Sequence, residues 1–166
     1  VLGGGIVPGS AILIGGHPGA GKSTLLLQVM CGLAKNMTAL YVTGEESLQQ
    51  VAMRANRLNL PTDKLNMLSE TSVEQICNLA DQLKPQIIVV DSIQVMHLAD
   101  IQSSPGSVAQ VRECASFLTR YAKTRQVAII MVGHVTKDGT LAGPKVLEHA
   151  IDCSLLLEGE ADSRYR

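Results

Sequence analysis

Residues Gly16 to Ser23 read Gly-His-Pro-Gly-Ala-Gly-Lys-Ser, a GxxxxGKS pattern. The apolar run Ala11-Ile12-Leu13-Ile14 precedes it and Thr24-Leu25-Leu26-Leu27 follows, so it falls where a strand turns into a helix. That is the context in which this pattern binds phosphate. The glycines permit a tight loop whose backbone N–H groups point inward, backed by a helix N-terminus, and such a nest takes polyphosphate oxygens. Gly16, His17, Pro18, Gly19, Ala20, Gly21, Lys22, Ser23 and Thr24 are the candidate nucleotide-binding residues. Lys22 is placed to reach the β- and γ-phosphates of ATP or ADP, and Ser23 to ligate Mg²⁺. The competing reading, a Gly-rich turn with a chance lysine, fits poorly once strand and helix flank the pattern.

Asp91 ends the strand-like run Ile87-Ile88-Val89-Val90, and a carboxylate there completes a Mg²⁺ site beside a phosphate loop. An apolar strand ending in Asp is common; its weight comes from following the P-loop in the right order. Glu45 and Glu46 follow the run Ala39–Thr43. Hydrolysis needs a carboxylate to orient and polarise water, and Glu45 is assigned that catalytic role. Glu46 is its assistant or a structural neighbour, since acidic residues before a helix also favour its dipole. His134 follows the run Val127–Val132 through Gly133, where it either contacts the γ-phosphate or is an ordinary strand-end histidine. Lys137 and Lys145 flank a Gly-rich segment over 136–144; they either touch phosphates of DNA or of a neighbour's ATP, or are solvated. Arg112, Arg120, Lys123 and Arg125 share one long helix and read better as a solvated face than as a DNA patch.

The elements that must position these groups are legible in outline. Strands are predicted at Ala11–Gly15, Ala39–Thr43, Leu65–Leu68, Gln86–Asp91, Val127–Val132 and Ile151–Leu157. Helices are predicted at Lys22–Ala34, from Ser47 to about Leu58, from Ser72 to about Leu83, and at Ser107–Arg125. Ser47 and Ser72 each stand three residues before Gln, which reads as a capping box, and Ser107 opens its helix with the same spacing. The first helix is apolar nearly all round and is expected to be covered on both sides. Ile93–Gly106 reads as irregular. Strands alternating with helices, with strands apolar on both faces, imply an α/β fold with a mainly parallel sheet and helices on both faces. Ligands in such sheets sit at the carboxyl ends of the strands.

Composition narrows the class. The 166 residues fit one domain, and 46% hydrophobic with 17% charged residues describes a globular chain. A net charge of −1 argues against a general polyanion binder, so any DNA contact is confined to loops or an assembled surface. Three Tyr, one Phe and no Trp leave little for a base-stacking platform. Cys31, Cys77, Cys114 and Cys153 are far apart, with no CxxC, which argues against zinc. Cys31 and Cys114 fall in apolar helical runs and read as buried free thiols, which suits a reducing cytoplasm. The absence of a membrane-length apolar run agrees with a cytoplasmic location. The chain begins without Met and ends on Arg164-Tyr165-Arg166, and reads as a piece of a longer protein.

Taken together, these residues resemble the RecA-like P-loop ATPases, in particular the branch that serves bacterial recombinational DNA repair. The resemblance rests on Leu2–Ser10, on Gly16–Gln28, on Tyr41-Val42-Thr43-Gly44-Glu45-Glu46-Ser47, on Val90–Gln94 and on Gly133–His149. It covers essentially the whole chain, and Gly133–His149 is its most specific stretch. It implies a single RecA-like ATPase domain over residues 1–166, acting as a DNA-stimulated ATPase or helicase-type motor on single-stranded or branched DNA. It implies a homo-oligomer, a hexameric ring in the full-length protein, and contact with a recombinase. It places Glu45 at the catalytic glutamate and His134 at the γ-phosphate sensor, and puts DNA-binding loops at 93–106 and 136–145. The family's four-cysteine zinc module, its Lys-Asn-Arg-Phe-Gly motif and its Lon-like domain fall outside these residues. Slow hydrolysis and no stable ring are therefore expected of the chain alone. Competing readings are a clock-type ATPase/kinase, which also carries paired glutamates, and a nucleotide-dependent assembly module. A small-molecule kinase is disfavoured, since no arginine-rich lid follows the P-loop.

Overall fold

A computed structural model describes residues 2–135 and 147–159. Six strands form one parallel sheet: β1 Ala11–Gly16, β2 Ala39–Thr43, β3 Asn66–Ser69, β4 Ile87–Asp91, β5 Ala128–His134 and β6 Cys153–Leu156. Their order is β3-β2-β4-β5-β1-β6, with every neighbouring pair parallel. The helices are α1 Lys22–Leu33, α2 Leu48–Arg57, α3 Val73–Leu83 and α4 Val108–Arg125.

The strand alternation sorts the core into two layers. Ile12, Ile14, Tyr41, Ile87, Val89 and Ile130 point to the face covered by α1 and α2. Leu13, Leu40, Val42, Ile88, Val90 and Ile129 point to the face covered by α3 and α4. β1, β2 and β4 are buried throughout, as expected for strands packed between two helical layers. The two edge strands differ from the sequence expectation. β3 and β6 are half-buried, because each has a neighbour on one side only. α1 also differs: its buried residues are Lys22, Leu26, Leu27, Met30 and Cys31, while Leu25 and Val29 stay exposed. No second helical layer lies outside it among the described residues, so its apolar composition overstates its burial.

Helix capping follows the serines unevenly. Ser47 and Gln50 make a reciprocal capping box. Ser72 caps α3 through the Gln75 N–H, but its own N–H donates to Glu70 Oε1 instead of to Gln75. Ser107 caps α4, whereas the buried Gln110 side chain turns away and binds the irregular connection. Its Oε1 accepts from Leu98 N at 3.0 Å and its Nε2 donates to Ser103 O at 2.8 Å. That connection, read as irregular over 93–106, contains one 3₁₀ turn at Ile93–Val95. Cys31, Cys77 and Cys114 are buried free thiols, and Cys153 is half-buried on the edge strand β6.

Register aligns the strand ends that matter. Gly16 pairs with His134, Asp91 with Val132 and Thr43 with Asp91, so β1, β5, β4 and β2 finish along one edge of the sheet.

Candidate functional site

The P-loop leaves β1 at Gly16 and enters α1 at Gly21, with no side-chain cap on α1 and no acidic residue in its first turn. The helix N-terminus therefore faces the loop without a competing anion of its own. Gly19 and Gly21 take φ of +81° and +94°, left-handed conformations that a side chain would strain. Lys22 is 3% exposed and folds back over the loop: its Nζ donates to Gly16 O at 2.7 Å and to His17 O at 2.8 Å. Burial pulls its pKa down, opposed by the nearby carboxylates of Asp91 and Glu45. A pocket of about 310 Å³ opens here, lined by Gly19, Gly21, Lys22, Ser23, Thr24, Arg54 and His134.

Asp91 ends β4 and is 4% exposed. Its Oδ2 accepts the phenolic proton of the fully buried Tyr41 at 2.7 Å, and the Asp91–Ser92 peptide is cis. Burial, together with the Asp91 charge, pushes the Tyr41 phenol well above its ordinary range, so it remains a donor. Tyr41 lies among apolar residues in sequence, and only the pairing of β2 with β4 reveals it as the support of Asp91. Ser23 and Asp91 offer a hydroxyl and a carboxylate, oxygen donors of the kind Mg²⁺ takes. Among the described residues no cluster of three or more His, Cys, Asp and Glu could hold a metal alone. The donor set thus suits a cation that arrives with phosphate oxygens and waters, as Mg²⁺ on a nucleotide does.

The two glutamates separate. Thr43 turns the chain after β2: its Oγ1 accepts from Glu46 N at 3.1 Å and donates to Glu46 O at 2.9 Å. Glu46 then points to α2, where its Oε1 takes Arg54 Nη1 at 2.6 Å. Glu45 points to the strand ends, where its Oε1 accepts from Ser92 Oγ and lies 2.9 Å from His134 Nε2. Both contacts fall on Oε1, so neither takes Oε2. The His134 hydrogen bond, ahead of the others, holds the Glu45 carboxyl below the usual carboxylate range; the Ser92 bond and Lys22 act in the same direction against burial. His134 is the last residue of β5 rather than a residue beyond it, and Gln94 Nε2 donates to its carbonyl at 3.3 Å.

Gly44 places this glutamate. Its N–H donates to Asp91 O at 2.8 Å, and a Cβ there would sit 2.6 Å from Val95 Cγ2 and 3.0 Å from Met96 Cε. Gly44→Ala is expected to cost about 1–3 kcal/mol by overpacking. A urea titration reads it as a lower midpoint at unchanged slope; an unchanged midpoint would show that the 3₁₀ turn yields freely.

The other sequence candidates fall elsewhere. Lys137 and Lys145 lie outside the described residues, as does the whole segment 136–145. On α4, Lys123 pairs with Asp152 at 2.8 Å, Arg125 with Asp81 at 2.9 Å and Arg112 with Glu113 at 3.8 Å, the arrangement of a solvated face. Arg54 is a site residue that the linear sequence did not point to. It stands eight residues after Glu46 on an amphipathic helix, with no motif around it.

A family model described as an AAA domain matches residues 1–140. The chain belongs to this AAA domain family. Family membership agrees with the parallel sheet and the P-loop between β1 and α1, and supports a RecA-like ATPase core. Among curated proteins the chain is 97% identical over 166 residues to the DNA repair protein RadA of Haemophilus influenzae. It is 78% identical over 166 residues to RadA of Escherichia coli and 51% identical over 167 to RadA of Bacillus subtilis. Each alignment covers all of this chain and 36% of the relative, so the chain spans about a third of the length of the proteins it matches. The resemblance read from the residues is thus to the RadA branch of the family. No helix among the described residues is long and apolar enough to cross a membrane.

Proposed function

We propose that the chain is the ATP-hydrolysing core of a DNA-dependent, helicase-type motor that acts on single-stranded or branched DNA in recombinational repair. The observation that carries this reading is the meeting of four groups at one sheet edge: the P-loop with Lys22, Asp91 at the end of β4, Glu45 after β2 and His134 at the end of β5. The near identity to proteins named for DNA repair supports the choice of substrate.

In this reading the backbone of residues 16–24 and Lys22 bind the phosphates of ATP. Lys22 Nζ exchanges its two loop carbonyls for phosphate oxygens. Ser23 and Asp91 would hold Mg²⁺, which would supply positive charge against the charge developing on the phosphates. Glu45, fixed through Oε1 by Ser92 and His134, accepts a proton from the attacking water at Oε2. His134 couples the γ-phosphate to the following segment, where Lys137 and Lys145 meet DNA. The whole protein acts as a homo-oligomeric ring, six subunits in the family's pattern, with a recombinase as partner.

ATP hydrolysis by the full-length protein, with and without single-stranded DNA, tests the assignment. Stimulation by DNA is expected. An ATPase rate indifferent to DNA, with label transferred from ATP to protein, would assign the chain to the clock-type kinases instead.

A further inference from the structure

Arg54 has more donors than partners. On α2, Val51 and Ala55 face the sheet, and Arg54 stands beside that buried stripe. Its side chain is 15% exposed and borders the P-loop pocket with Lys22, Ser23 and His134. Nη1 donates to one oxygen of Glu46 at 2.6 Å. Nε and Nη2 are buried and bond to nothing among the described residues. An arginine serving only to fasten α2 to Glu46 would present its fork to both carboxylate oxygens, since the bidentate pair is the stronger arrangement. Buried donors left unpaired are costly and rare in folded proteins. The anion suited to them is one that fits a planar fork, and the neighbouring pocket is already shaped for phosphate.

We infer that Arg54 is a second cation of the polyphosphate site, held in place by Glu46 and completed by a phosphate oxygen of the bound nucleotide. The inference rests on the nucleotide-site reading and deepens it. It gives the adjacent glutamates different roles, Glu45 serving the attacking water and Glu46 positioning the arginine. It also ties α2 to nucleotide occupancy, because the helix carrying Arg54 gains a contact with the phosphates when the pocket fills.

The test is binding of ATP, inorganic tripolyphosphate and adenosine to the wild-type protein and to Lys22→Ala, Arg54→Gln and Arg54→Lys. Arg54→Gln is expected to weaken ATP and tripolyphosphate by about 10-fold or more while adenosine stays within about twofold. Arg54→Lys keeps a charge but not the fork, and is expected to fall between wild type and Arg54→Gln. ATP binding by Arg54→Gln within about twofold of wild type, or an equal loss for adenosine, would overturn the inference and leave Arg54 as a fastener of α2. If melting shows that Arg54→Gln does not fold, Arg54→Lys decides by the same comparison of tripolyphosphate with adenosine. If Lys22→Ala loses ATP and neither Arg54 variant does, this inference alone falls. If wild type does not bind ATP, or Lys22→Ala binds it equally well, the nucleotide-site reading falls with it.

Discussion

Lys22→Ala is expected to lower ATP hydrolysis by about 10²–10³-fold, the usual loss when one preorganised donor to the reacting group is removed. The geometry says why the loss is functional rather than structural. Lys22 Nζ donates to two loop carbonyls, Gly16 O and His17 O, and burial disfavours its charged form. Removing it frees two carbonyls and relieves a buried charge, effects of opposite sign. The net stability change is therefore expected within about 1 kcal/mol. Phosphate release measured beside thermal melting separates the two. Unchanged melting with lost hydrolysis and lost ATP binding is the expected pattern. ATP affinity close to wild type would remove Lys22, and with it the P-loop, from the phosphate site.

Glu45→Gln is expected to lower hydrolysis by about 10²–10⁴-fold with ATP binding largely kept, the range lost with a general base. Glu46→Gln, whose carboxylate already serves Arg54, is expected to cost less than about 10-fold in rate. The reverse order would exchange the two roles. The ionisation of Glu45 offers a second check. Its folded pKa lies below the ordinary 4.5, chiefly through the His134 hydrogen bond. A group depressed in the folded state stabilises the fold above its unfolded pKa, and that contribution fades as pH falls through the folded value. Carboxyl-carbon NMR of the wild type should therefore place the Glu45 midpoint under 4.5, and His134→Ala should move it upward. A midpoint that does not respond to His134→Ala would show that the contact does not govern the carboxylate.

These expectations depend on groups that the sequence displays unequally. The P-loop is continuous in the chain, and its chemistry follows from backbone conformation, so residues 16–24 announce themselves. Asp91 is legible because a run of β-branched residues ends on it. Glu45 and Glu46 are legible as a pair, with Glu45 assigned as the base, but the contacts that part them are not. Their separation depends on the Thr43 turn, on Arg54 arriving from α2, and on Ser92 and His134 arriving from two other strand ends.

The linear order of apolar strands and capped helices, with a GxxxxGKS turn between the first pair, was enough to determine an α/β P-loop core. Those signals are local: alternation, β-branching, serine caps and glycine conformations act within a few residues. The strand order β3-β2-β4-β5-β1-β6 was decided by tertiary structure, and with it which side chains meet. Tyr41 supports Asp91 across 50 positions, and His134 holds Glu45 across 89. No periodicity encodes such contacts, because they come from parallel register and from the shared edge at which four strands stop. The exposure of Leu25 and Val29 was settled the same way: composition marks a residue as apolar, but only the packed layers decide whether anything covers it.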